Sequence, residues 1–165
     1  MTNKVLANHS AEDDGSKAKD HSVELSMAAR CVAKIIDNDN VVNGLGIRLV
    51  EVEQGRAVLA MTVREDMLNS LGQCHGGMSF TLADAAFACA SVSHNQAGVG
   101  AHAAMDYIRP GMLGDVLTAT ATVRHQGRSA SLVEVVVENQ NARQIALLHG
   151  RSHNFDQAFI DSEAG

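Results

Sequence analysis

The chain has 165 residues, 45% of them hydrophobic and 19% charged, with a formal net charge of −6 at pH 7. That length suits one domain with a substantial core. The acidic balance argues against nucleic-acid binding as the main task, while leaving room for a local basic patch. No apolar run approaches the roughly 18 residues of a membrane helix, and the N-terminal residues lack the apolar segment of a secretory signal. Three cysteines without a CxxC pair fit a reducing cytoplasm better than a disulfide framework or a zinc cluster.

Residues 1–20 are polar and of mixed charge and read as a flexible arm, followed by one domain over 21–155 and a tail over 156–165. Val23, Met27, Ala28, Cys31, Ile35 and Ile36 recur at helical spacing, with Ser22 as a candidate N-cap and Asn38 to Asn40 as a polar stop. Residues 44–63 read as two strands around a turn at Gln54-Gly55, and a polar, Gly-containing loop follows. From 76 to about 94 the pattern is apolar nearly all round, which predicts a buried helix. Beyond Gly98 the texture becomes alternating. Leu117, Ala119, Ala121 and Val123 face Thr118, Thr120 and Thr122; Val133, Val135 and Val137 face Glu134 and Glu138. This predicts about four half-buried antiparallel strands, with turns at Gln126-Gly127 and Asn139 to Asn141. The expected fold is α+β: a long central helix wrapped by a curved antiparallel sheet of about six strands. Its open edges call for a second copy, so a dimer at least is expected.

Asp84 is the only Asp, Glu, Lys or Arg in 76–95. An ionised group on a buried helix is costly unless compensated; either local donors satisfy it, or it serves a reaction. The preceding "HGG" (residues 75–77) supplies backbone N–H groups at a helix start, where free donors and the positive dipole end favour an anion such as a carbonyl oxygen turning into an oxyanion. Gly76 and Asp84 stand eight residues apart, about 12 Å along a helix at ~1.5 Å per residue, and His75 lies roughly 180° around it from Asp84. One chain cannot bring both to a small carbonyl group. Two antiparallel copies of the helix, side by side, would place Asp84 of one beside His75-Gly76 of the other.

The stretches "MLNSLGQCHGGMSFTLADAAFA", "MDYIRPGMLGDVLTATATVRHQGR" and "ALLHGRSH" closely resemble the hotdog-fold acyl-CoA thioesterases, nearest the phenylacetate-degradation (PaaI) type, over about residues 41–153. The resemblance implies hydrolysis of an acyl-CoA thioester, with aryl groups such as phenylacetyl and its ring-hydroxylated forms favoured. It makes Asp84 the nucleophile or the general base, and the Gly76 N–H, with Gly77 nearby, the group that polarises the carbonyl. His75 and Asn69 match positions that orient the carbonyl or the attacking water. It also implies a homodimer or dimer of dimers, and no metal or other cofactor. Relatives often carry a Ser or Thr early in the strand leading to "RPG"; here residues 100–104 read Gly-Ala-His-Ala-Ala, without a hydroxyl, and His102 is a candidate substitute or a structural residue.

Arg109, Arg124, His125 and Arg128 are read either as solvated strand ends or as partners for the phosphates of CoA, with Arg151 a further candidate. Three other motifs are decoys. "GVGAHA" fits a dinucleotide fingerprint but would need a strand before it and a helix after. His149 and His153, four apart on an extended chain, are about 13 Å from each other, too far to chelate one ion. Cys74, next to His75, has no orienting third group and reads as an ordinary loop or core thiol. Two competing readings stand beside the aryl thioesterase: a medium-chain fatty acyl-CoA thioesterase, and a CoA-ester-binding regulatory module without turnover.

Overall fold

The computed structural model describes residues 25–161; the arm expected over 1–20 and the N-cap expected at Ser22 lie outside them. The elements are α1 (Met27–Asn38), α2 (Asn40–Leu45), β1 (Arg48–Glu53), β2 (Arg56–Thr62), a single 3-10 turn (Glu65–Met67), α3 (Gly76–Val92), β3 (Gln96–Tyr107), β4 (Val116–Gln126), β5 (Ala130–Glu138) and β6 (Gln144–Ala158).

Ser26 caps α1, its side chain accepting from the Ala29 N–H at 3.2 Å. The helix ends at Asn38 as expected, but a second short helix follows. The Asp39 carboxylate accepts from the N–H groups of Val41 (2.8 Å) and Val42 (3.0 Å), which starts α2; Gly46, left-handed at φ 67°, ends it. A six-residue helix has no room for an amphipathic period, so only its cap and its terminal glycine announce it. At the other end, β6 continues past 155 to Ala158, and Phe159 and Ile160 pack on the core. Residues 156–160 are therefore part of the packed unit rather than of a tail, because ladder bonds and apolar contacts hold them.

The six strands form one antiparallel sheet in the order β1-β2-β4-β5-β6-β3. Leu59 and Met61 of β2, Leu117, Ala119 and Ala121 of β4, Val133, Val135 and Val137 of β5 and Leu148 of β6 are buried beneath Leu82, Ala83, Ala86, Cys89 and Ala90 of α3. The alternation read in β4 and β5 is thus the face that meets the helix. The two edges differ in chemistry. Strand β1 carries Arg48, Glu51 and Glu53, whereas β3 is twelve residues long with Asp106 as its single charged residue. A long edge with so little charge is the one left unprotected against strand addition.

Candidate active site

The loop before α3 is pinned by its own backbone. Asn69 closes it, its Oδ1 accepting from the N–H groups of Leu71 (2.9 Å) and Gln73 (3.2 Å), while the N–H of Cys74 donates to Gly111 O at 2.9 Å and that of His75 to Met67 O at 2.8 Å. Asn69 thus spends its oxygen on bracing the loop and keeps its amide NH2 for other partners. His75 arrives as the N-cap of α3, its Nδ1 accepting from the Gly77 N–H at 2.9 Å. A backbone N–H can only donate, so the neutral ring carries its proton on Nε2. Gly77, expected beside Gly76 as a donor to the substrate, is committed to this cap. The Gly76 N–H has no hydrogen-bond partner among the described residues. Gly76 also lies tight beneath Tyr107 of β3: a Cβ there would stand 3.1 Å from Tyr107 Cε1. The open donors at this helix start are therefore the Gly76 N–H and the His75 Nε2–H.

Asp84 lies two turns on. The pattern around it predicts burial on all sides, yet Asp84 is exposed, on a stripe of α3 formed by Gly77, Thr81, Asp84, Ala88 and Ser91 that the sheet does not fully cover. Small uncharged residues look the same in sequence whether they are buried or merely uncovered. Asp84 borders a cleft of about 390 Å³ between α3 and the 98–103 stretch of β3, with Ile35 of α1 and Phe159 also in its wall. Although open to solvent, the Asp84 carboxyl loses enough hydration to the surrounding protein that its pKa rises from 3.8, with Asp39 adding a smaller like-charge push. Phe87 forms one wall, its ring seated on two glycines: a Cβ on Gly150 would lie 2.8 Å from Phe87 Cδ2, and one on Gly100 would lie 3.2 Å from Cε1.

Sequence reasoning missed most of this wall. Ser91 was legible, seven residues after Asp84 on the same helix face. Ile35 and Phe159, far away in the chain, carry no local signal. Residues 100–104 of β3 hold no hydroxyl, but Ser91 and Ser152 line the cleft, as does His102. Ser152 is buried in a closed network. It donates to Asn154 Oδ1 at 2.6 Å, and Asn154 Nδ2 donates to Ser131 Oγ and to Gly127 O, both at 2.8 Å.

The basic residues do not form one group. Arg109 follows β3 near Gly76 and Tyr107 and donates to Gln144 O at 3.0 Å. Arg124 and His125 sit at the opposite end of β4 and Arg128 just beyond it; from Val116 to Arg124 alone is about 26 Å along a strand rising ~3.3 Å per residue. Arg124 there is paired with Glu134, which lowers its claim on a phosphate. Arg151 is exposed on β6, paired in register with His102 and Leu132. The decoys fall as their chemistry requires. "GVGAHA" lies within β3; His149 and His153 are exposed on one strand; Cys74 is buried with its thiol pushed up by burial.

A profile of the thioesterase superfamily matches residues 71–146. Acyl-coenzyme A thioesterase PaaI of Escherichia coli (strain K12) is 44% identical over 117 residues, 71% of this chain and 84% of that protein. The structure of the E. coli PaaI protein from the phenylacetic acid degradation operon matches with a TM-score of 0.78 at 40% identity, covering 80% of this chain and 96% of that one. A Streptococcus mutans UA159 protein bound to acetyl CoA matches with a TM-score of 0.66 at 28% identity, covering 68% and 90%. The long helix laid on six antiparallel strands, with the His-Gly-Gly turn at its start, thus has a family: the chain belongs to the thioesterase superfamily, as a hotdog-fold hydrolase acting on thioesters.

Proposed function

We propose that the protein hydrolyses aryl-acyl-CoA thioesters, phenylacetyl-CoA and its ring-hydroxylated forms first among them, at a site shared by two copies of the chain. The observation that carries this reading is the position of Asp84: the lone charge on the uncovered face of α3, opening onto a cleft with apolar walls from Ile35, Phe87, Val92, Val99 and Phe159 and a polar share from Ser91, Gln96, His102 and Asn154. The relative named for the phenylacetic acid degradation operon, and the one holding acetyl CoA, support the choice of substrate.

The two halves of the site lie at opposite ends of β3. Asp84 adjoins its 98–103 stretch, and Gly76 lies under Tyr107 at its far end. Antiparallel pairing of this edge with its own copy about a two-fold axis lays the first stretch against the partner's second. It also covers the exposed stripe of α3. A thioester carbonyl in that shared site accepts from the Gly76 N–H and the His75 Nε2–H of one copy as negative charge develops on it. Asp84 of the other copy either takes a proton from the attacking water, so that the CoA thiolate leaves and gains that proton, or attacks the carbonyl carbon itself and expels the thiolate, after which water hydrolyses the resulting acyl-Asp84 anhydride; either way the carboxylic acid is released and Asp84 is regenerated. Arg109, beside Gly76, is the first candidate for the CoA phosphates; Arg128, His125 and Arg124 follow. Three buried, unpaired cysteines accord with a reducing cytoplasm.

Thiol release from phenylacetyl-CoA, its hydroxylated forms, hexanoyl-CoA and palmitoyl-CoA tests the reading, with wild type and Asp84→Asn run side by side. Release from the aryl esters that vanishes in the variant is the expected result. A wild type silent on every ester, yet stabilised against heat by them, identifies a binding module instead.

A further inference from the structure

One part of the wall of the cleft beside Asp84 comes from a segment that belongs to neither the long helix nor the sheet. After β6 the chain carries Phe159 into the cleft wall, which Ile35 of α1 also lines. Several bonds hold it there. The Phe159 N–H donates to Asn95 O at 3.3 Å. The Asn95 side chain grips the next residue from both sides, accepting from the Ile160 N–H at 2.9 Å and donating to Ile160 O at 3.1 Å. From α1, Lys34 Nζ donates to Phe159 O at 3.2 Å and lies 5.0 Å from the centroid of the Phe159 ring. Asn95 adopts φ 54° to make this grip, a left-handed conformation that is uncommon outside glycine and that Asn tolerates better than most. A clasp reaching from α1 to α3's end holds the ring.

The direction of the cleft gives the clasp its meaning. Asp39, at the end of α1, acts electrostatically on Asp84, whereas Cys31, two turns earlier, meets Asn95 through its thiol at 3.6 Å. Helix α1 therefore runs antiparallel to the second half of α3, and the cleft extends from Asp84 toward Asn95. Asp84 and Val92, both in its wall, are eight residues apart, about 12 Å along the helix at ~1.5 Å per residue. We infer that Phe159 is a specificity-determining residue: clasped by Asn95 and Lys34, its ring closes the far end of the acyl cleft and limits the acyl group to an aryl-acetyl or a short chain. This rests on the proposed thioesterase reading, in which the reacting carbonyl sits at Asp84.

The test compares phenylacetyl-CoA, hexanoyl-CoA and decanoyl-CoA with wild type, Phe159→Ala, Phe159→Trp and Asn95→Gly. The last keeps the left-handed backbone and deletes the side-chain grip. Phe159→Ala is expected to raise the ratio of kcat/KM for decanoyl-CoA over phenylacetyl-CoA about tenfold, the order that one or two methylenes command in an apolar pocket. Asn95→Gly shifts it the same way but less, and Phe159→Trp shifts the hexanoyl ratio the other way. Opposite shifts from one position do not arise from poor folding, which thermal unfolding of each variant checks independently. Dissociation constants for the same esters, measured by calorimetry in an Asp84→Asn background, give the same ratios without turnover. Failure of the hydrolysis is then read separately from failure of the gate. Ratios unchanged within twofold in both Phe159 variants, or no binding of any ester, overturn the inference.

Discussion

Mixing two inactive variants should restore about a quarter of the wild-type activity. Asp84→Asn removes the carboxylate, a loss of about 10²–10⁴ for a positioned base. Gly76→Pro removes the one unpartnered N–H at the helix start, a loss of about 10²–10³ for an oxyanion donor. The proline fits its place. It occupies the first position of α3, where no N–H is needed for the helix, and His75 before it has φ −60° and ψ 134°, the extended geometry a residue before proline prefers. The new Cβ meets Tyr107, which is 58% exposed and able to yield. Because Asp84 and Gly76 of one chain stand about 12 Å apart along the helix, each shared site takes one from each copy. In a mixed dimer, one site then carries both defects and the other carries neither. Random assortment of equal amounts gives mixed dimers in about half the population, hence intact sites in about one quarter. The assay is thiol release from phenylacetyl-CoA after co-refolding the two variants, and a dimer of dimers leaves the fraction unchanged. A mixture no more active than the two variants kept apart would refute the shared site, since a site within one chain leaves every copy defective.

Gly150→Ala is expected to destabilise the fold by about 1–2 kcal/mol: overpacking costs about 1–3 kcal/mol, and the lost freedom of the unfolded glycine returns about 0.4–1 kcal/mol. The new Cβ would sit 2.8 Å and 2.9 Å from Phe87 Cδ2 and Cε2, while β6, hydrogen-bonded on both sides, cannot retreat. Thermal unfolding at fixed protein concentration checks it, and an unchanged midpoint that Phe87→Leu does not affect contradicts the packing. Burial raises the Asp84 pKa above 3.8, so kcat/KM should fall with acid through a value above that, and an acid limb at or below it rules Asp84 out as the titrating base. The same shift means that the folded state disfavours the charged form, so Asp84→Asn should unfold at the wild-type temperature or higher at pH 7, with any gain fading in acid. His94 has a buried Nε2 without a partner, and burial lowers its pKa from 6.5. The unfolded chain binds that proton more readily, so stability should drop as pH falls below about 6.5 through the lower folded value. His94→Gln should flatten that slope in thermal unfolding measured between pH 7 and pH 5.

The parts legible in the sequence are those whose signal is local and repeated. Leu117, Ala119 and Ala121 against three threonines fix which face of β4 meets the helix, and the turn at Gln54-Gly55 needs only Gly55, whose φ is 80°. Asp84 stood out because nothing nearby shares its charge. The parts that escaped are set by distant contacts. Ile35, Phe87 and Phe159 meet around one cleft from α1, α3 and the chain beyond β6, and no periodicity joins them. Arg109 and Arg124 stand only fifteen residues apart in the sequence, but an extended strand between them carries them to opposite ends of the sheet. The exposure of Asp84 escaped for another reason. Hydropathy reports what a face avoids, water, and not whether its own chain or a second one supplies the cover.

The open face of α3 gives a physical reason for one carboxylate in an apolar helix. Sealed inside its own chain, an ionised Asp84 would burden every folded molecule with the cost of an unpaired buried charge. On a face that its own sheet leaves open, the charge stays partly hydrated while the chain folds, and the cost is deferred. In the proposed assembly a second copy covers the stripe of Gly77, Thr81, Ala88 and Ser91, withdraws more water from Asp84, and pushes its pKa further in the direction burial has already set. A carboxylate whose pKa is raised is a stronger base whenever it is ionised. The same step brings the Gly76 N–H of the other copy to the carbonyl. In that proposed assembly the reactivity of the carboxylate rises and the oxyanion site is completed together, and a chain alone is expected to be inactive.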